Sequence, residues 1–196
     1  MDIYLAYDMI KRRAGEKIFQ HSLGVKNTAV HLARLYGLDP EKAALTGMLH
    51  DYGKLFDDDT LTRLARQYNL DDPILYQEPV LLHAPIGAIL LREEMGLTDE
   101  DILEAIRVHT TGLPGMSLLA RVIYIADYIE PGRTCPGVQA IRRLAYSNLE
   151  GALLAAVDFT IQYVMDRKKL LHPDSIAFRN SLVLSMRNDL QELSGL

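Results

Sequence analysis

The chain is 196 residues long, 48% hydrophobic and 24% charged, the length of one ordinary domain and the composition of a globular protein rather than a disordered or fibrous one. A single cysteine, Cys135, excludes an internal disulfide framework and fits a reducing, cytoplasmic setting. The formal net charge of −5 argues against a broad footprint on nucleic acid polymers, and no apolar run approaches the roughly 20 residues that span a bilayer.

Helical periodicity starts at the N-terminus, where the acids in Met1-Asp2-Ile3-Tyr4-Leu5-Ala6-Tyr7-Asp8 do not form the basic-then-apolar pattern of a secretory signal. Ile3, Tyr7 and Ile10 give one apolar stripe, and Ile18, Ser22, Val25, Ala29, Leu32 and Tyr36 give a second. Gly37 follows as a left-handed stop. Asp39-Pro40 then opens a third helix that runs to about His50 or Asp51. Beyond the acidic run 57–59, a short amphipathic piece spans Leu61 to Tyr68, followed by a helix from Val80 to Met95. Thr98 and Asp101 read as a capping box for a helix from Asp99 to His109. An apolar helix from Ser117 to Ile129 ends at Glu130-Pro131-Gly132. Helices over Val138–Ser147, Leu149–Lys169 and Ser175–Leu193 complete the chain. No segment demands a strand, so the fold class is all-α. The last helix presents Leu182, Met186, Leu190 and Leu193 at helical spacing, which serves a core or a homodimer interface equally well.

The chemistry concentrates in six histidines and a few aspartates. His50-Asp51 lies at a predicted helix end, where adjacent side chains can converge. Imidazole plus carboxylate suits iron, manganese, cobalt or zinc; alone, the pair reads equally as a buried histidine beside a cap. His21 borders the apolar stripe of the second helix and can face a cleft. Asp127 interrupts the apolar run Val122 to Ile129, where an uncompensated carboxylate is costly; a metal, a salt bridge or a cap would each answer that. His31, ten residues past His21 and without a motif, reads as a surface histidine.

The segments His21-Ser22-Leu23-Gly24-Val25, His50-Asp51-Tyr52-Gly53-Lys54, His83-Ala84-Pro85-Ile86-Gly87-Ala88, His109-Thr110-Thr111-Gly112, Asp127 to Arg133 and Leu171-His172-Pro173-Asp174-Ser175 resemble the YqeK family of the HD superfamily of metal-dependent phosphohydrolases. The resemblance implies a helical bundle over residues 1–196, with a metal core over about 17–135 and helices over 138–196 closing a nucleotide site. It maps the superfamily's ligands onto His21, His50, Asp51 and Asp127, with iron as the expected metal. It also implies symmetrical hydrolysis of diadenosine tetraphosphate to two ADP through a metal-bound hydroxide. Where the family often has a basic residue this chain has Ile18, so a phosphate contact passes to Lys17 or is lost.

On that reading Lys54 and Arg133 offer positive charge to the polyphosphate. His83 and His109 face substrate as donors or acids, the alternative being a second metal bridged by Asp51. Asp51, Lys54, His83 and His109 form the expected catalytic set. Contacts to substrate are expected from Lys17, Ile18, His21, Thr110, Asp127 and Arg133, and from Leu170, Leu171, His172, Pro173, Asp174, Ser175 and Arg179 near the C-terminus. Phe19 and Tyr52 are candidates to stack on a base. The competing functions are a nucleotidase or phosphodiesterase acting on another nucleotide, and a nucleotide-sensing module without turnover.

Overall fold

The computed structural model describes residues 2–194, without the side chains of 189–194. Every regular element among them is helical: α1 (Ile3–Arg13), α2 (Glu16–Leu35), α3 (Pro40–Leu49), α4 (Asp58–Gln67), α5 (Pro73–Gln77), α6 (His83–Glu93), α7 (Glu100–Val108), α8 (Leu118–Ile129), α9 (Val138–Leu144), α10 (Leu149–Asp166) and α11 (Pro173–Ser194). Two 3-10 turns, Tyr52–Leu55 and Pro79–Leu82, precede α4 and α6. No helix among the described residues is long and apolar enough to cross a membrane.

Local chemistry sets most of the starts. The Asp39 carboxylate accepts from the N–H groups of Glu41 and Lys42 at 2.8 and 3.4 Å, with Pro40 pre-set at the first helical position. Ser117 caps α8 through the Ala120 N–H, and Asn148 caps α10 through that of Gly151. The predicted capping box at Thr98 does not form. Asp99 is the cap, accepting from the N–H groups of Asp101 and Ile102, because its carboxylate sits one residue nearer the first turn than the Thr98 hydroxyl. The expected helix from Val80 divides into the 3-10 turn and α6, since Pro79 and Pro85 limit the backbone donors on either side.

Helices α2, α3 and α8 form the central layer, with α7 and α6 continuing from α8 toward the 3-10 turn at Tyr52. Helix α8 buries Leu119, Ala120, Val122, Ile123, Tyr124, Ile125, Ala126 and Ile129, so nearly its whole circumference faces protein. Asp127 is half-buried. On α11, Leu182 is buried and Met186 half-buried, while Leu190 and Leu193 lie outside the described side chains. Leu184, on another face of the same helix, is exposed.

Candidate metal centre

Three of the four clustered histidines sit at helix boundaries: His50 follows the last residue of α3, His109 follows that of α7, and His83 opens α6 after the 3-10 turn. A helix end leaves its last carbonyls without intrahelical donors, and each imidazole fills one three residues back. Nδ1 of His50 donates to Gly47 O at 2.9 Å, that of His83 to Val80 O at 2.5 Å, and that of His109 to Ile106 O at 2.7 Å. A carbonyl only accepts, so the proton sits on Nδ1. Nε2 keeps its lone pair and points inward.

Those lone pairs converge on Asp51. Its Oδ2 lies 3.4 Å from His50 Nε2 and 3.5 Å from His21 Nε2. Its Oδ1 lies 3.3 Å from both His83 Nε2 and His109 Nε2, which are 3.2 Å from each other. Asp127 Oδ1 approaches His21 Nε2 at 3.0 Å and His50 Nε2 at 3.9 Å. Two donor groups therefore share one carboxylate: His21, His50 and Asp127 on one side, and His83 and His109 on the other. Two sets here are compact enough to hold a metal ion: His21, His50 and Asp127, and His50, Asp51 and His109.

Buried Asp51 Oδ1 has no hydrogen-bond partner, an arrangement of facing acceptors that a cation resolves. The charge state of His109 agrees with that. Burial pushes the His109 imidazole down to about 4, so it is neutral near pH 7 and able to coordinate.

Close backbone approach makes this possible. A Cβ on Gly53 would lie 2.1 Å from His83 O, and one on Gly87 2.9 Å from Gly53 N. Glycine at both positions lets α6 pack onto the turn after Asp51 and brings His83 within reach.

His21 is different, because it lies inside α2 where the carbonyls are already used. Its Nδ1 meets Glu130 Oε1 at 3.2 Å. Glu130 is buried at the turn after α8, and its Oε2 accepts from the Gly132 N–H at 2.6 Å. Sequence reasoning treated Glu130 only as part of a helix stop. The available signal was an acid three residues after Asp127 in a segment that otherwise excludes charge.

A cleft of about 750 Å³ opens over the first donor group and is lined by Lys17, Ile18, His21, Gly24, Asp51, Lys54, Glu130 and Arg133, among others. Lys54 Nζ meets Asp51 Oδ2 at 2.8 Å. Arg133 holds Asp127 through its guanidinium Nη2 on the carboxylate and Nε on the main-chain carbonyl. Both cations are partly exposed and face the opening.

The C-terminal candidates lie elsewhere. Thr110, His172 and Asp174 line a separate depression of about 220 Å³ with Asp72 and Arg107. His172 accepts from the Asp174 N–H at Nδ1 and donates from Nε2 to Asp72 at 2.8 Å, so neither ring nitrogen is free to coordinate. The Leu170 N–H donates to Glu78, and the Ser175 N–H to His172 O. Leu171 is half-buried and Pro173 exposed. Arg179 pairs with Asp158 of α10 at 2.9 Å. Two stacking candidates are corrected: Tyr52 is fully buried with Arg13 on its hydroxyl, and Phe19 is buried edge-on to Tyr7. Neither presents a face to a base. His31 is exposed, as expected.

Comparison with known proteins places these features in a family. A family model described as HD domain matches residues 18–132. The chain is 43% identical over 182 residues to a protein of Halalkalibacterium halodurans named bis(5'-nucleosyl)-tetraphosphatase, symmetrical, covering 93% of this chain and 97% of that one. A Bacillus subtilis protein of the same name is 41% identical over 174 residues, covering 89% and 94%. A crystal structure from Clostridium acetobutylicum, described as a predicted HD superfamily hydrolase involved in NAD metabolism, superposes with a TM-score of 0.90 at 40% identity, covering 94% of this chain and 98% of that one.

Proposed function

The chain belongs to the HD-domain family, and from that membership we propose that it is a metal-dependent phosphoanhydride hydrolase that cleaves diadenosine tetraphosphate symmetrically into two ADP. The observation that carries this reading is the ring of Nε2 lone pairs turned onto Asp51, whose buried Oδ1 lacks any hydrogen-bond donor, in a chain similar along nearly its whole length to symmetrical tetraphosphatases.

His21, His50, Asp51 and Asp127 would hold one metal. His83, His109 and Asp51 Oδ1 would hold a second, the alternative to one metal with these two histidines facing substrate. Their only ring protons are tied to Val80 O and Ile106 O, which leaves none to donate to a leaving group. ADP needs none, since its terminal phosphate ionises near pH 6 as phosphate monoesters do, about a unit below neutrality. Bound here, the metal supplies a lowered pKa for coordinated water and polarisation of a phosphoryl oxygen; iron is the expected ion, with manganese, cobalt or zinc admitted by the same ligands.

The chain's other residues bind and orient. Lys54 and Arg133 stand beside the two aspartates and meet the inner phosphates as a point charge and a planar fork respectively. Lys17 extends positive charge along the cleft toward a terminal nucleoside, with Ile18 beside it. Thr110, His172 and Asp174 line a depression separate from the cleft and Arg179 is paired with Asp158, so this reading gives the C-terminal helices no contact with the inner phosphates. Protein stripped of metal and reconstituted with iron, manganese, cobalt or zinc is then assayed on diadenosine tetraphosphate, mononucleotides and cyclic nucleotides. Restored turnover of the first supports the reading. Turnover of the others alone would assign it to a nucleotidase or phosphodiesterase, and tight binding without turnover to a sensing module.

A further inference from the structure

Among the histidines of the centre, His21 has no helix-end carbonyl available, and something else must decide which of its nitrogens carries the proton. We infer that Glu130 is the positioning residue that does so, fixing the proton on Nδ1 and presenting the Nε2 lone pair to the metal. The inference rests on placing His21 among the ligands.

Glu130 is held to this task from three sides. Its Oε2 accepts from the Gly132 N–H at 2.6 Å, and its Oε1 faces His21 Nδ1 at 3.2 Å. The carboxylate lies against Gly24 of α2, where a Cβ would come within 2.6 Å of Oε2. Arg142 of α9 fixes the turn itself, donating to Ile129 O at 2.8 Å, Glu130 O at 2.8 Å and Arg133 O at 3.3 Å. The carboxylate therefore has little freedom to turn away from the imidazole.

The pattern of donors admits only a carboxylate. The Gly132 N–H points at one oxygen and His21 Nδ1 faces the other, so with a proton on that nitrogen each carboxylate oxygen accepts. Glutamine has the same shape but one acceptor and one NH2 group. With its oxygen toward His21, its NH2 opposes the Gly132 N–H. Turned the other way, its NH2 donates to His21 Nδ1 and drives the proton to Nε2, where it blocks coordination. Partners of this kind on a ligating histidine typically contribute about 10–100-fold to metal affinity.

The ring proton of His21 is read by nitrogen-15 NMR in zinc-loaded protein at about pH 9, above the ordinary histidine pKa, because without a cation the Asp127 carboxylate 3.0 Å from Nε2 competes for the proton. It is expected on Nδ1 in the unsubstituted chain and on Nε2, or divided between the two, in Glu130→Gln. Competition with a chelator for zinc is expected to show an affinity about 10–100-fold weaker in Glu130→Gln. Gly24→Ala, which displaces the same carboxylate from the other side, is expected to weaken zinc binding in the same direction. A proton on Nε2 in the unsubstituted protein overturns the inference without any variant. An unchanged tautomer in a folded Glu130→Gln also overturns it. A changed tautomer with unchanged zinc affinity overturns it through its premise, by removing His21 from the ligands, whereas loss of the proposed substrate alone leaves both readouts intact.

Discussion

Asp51 faces four imidazoles and a lysine with two oxygens, and asparagine at that position replaces an acceptor with a donor pointed at the same ring nitrogens. Added metal is expected to stabilise the unsubstituted chain by about 2.7 kcal/mol at a hundredfold excess over Kd, as any ligand of the folded state does, and so to raise its melting temperature. Asp51→Asn is expected to lose that metal-dependent shift together with turnover, which parallel melting curves with and without metal will check. Lys54→Ala and Arg133→Ala remove charges that face the cleft rather than ligands. Each is expected to raise KM about tenfold, the equivalent of 1.4 kcal/mol, with metal content unchanged by elemental analysis. At this scale, His21, His50, Asp51 and Asp127 were legible because their order and spacing resemble a family pattern. Glu130 was not, because an acid before Pro131-Gly132 is locally indistinguishable from a helix terminator. Nor could the sequence tell that Tyr52 points into the core. That follows from the 3-10 turn, which carries Lys54 outward and Tyr52 inward.

Among the elements, the crossing of α6 over the turn at Gly53 has the smallest tolerance. The obstruction to a Cβ is the main chain of His83 rather than a movable side chain. Gly53→Ala is therefore expected to cost about 3 kcal/mol or more in urea unfolding and to reduce bound metal, since His83 travels with α6. A second clip joins the start of α11 to the loop before α5, through His172 on Asp72. Burial alone would raise the Asp72 carboxyl, but the bonds from His172 and from the N–H groups of Ile74 and Leu75 hold it below its ordinary value. A carboxyl depressed in the folded state contributes stability present above its unfolded pKa, near 3.9, and lost as pH falls through the folded value. Melting temperature is thus expected to fall below about pH 4, and to fall less in Asp72→Asn, which keeps the helix cap but not the charge. Helix existence was readable from periodicity except at α5, whose five residues from Pro73 to Gln77 are too few to show a period. The boundaries at Thr98 and Val80 were not, because competing caps and prolines one or two residues away decide them.

For the molecule as a whole, net charge and local charge point in opposite directions. The total is −5, yet Lys17, Lys54 and Arg133 line the cleft where a polyphosphate would enter. Because salt screens beyond about 8 Å at physiological ionic strength, the nearby cations outweigh the distant acids for a ligand within the cleft. KM for diadenosine tetraphosphate is expected to rise severalfold as salt increases; a fall would mean that the overall negative charge dominates. The all-α architecture was legible because every strong periodicity was helical. The division of the surface into a phosphate-facing cleft and a separate depression at His172 was not, since it depends on how α11 returns against the loop at Asp72.

The most direct test of symmetrical, metal-dependent cleavage is hydrolysis of diadenosine tetraphosphate by metal-loaded protein in oxygen-18 water, with the products separated and weighed by mass spectrometry. Two ADP molecules for each substrate, one of them carrying a single labelled oxygen, are expected, and stripping the metal should abolish them. Labelled AMP or ATP as the products would contradict the account.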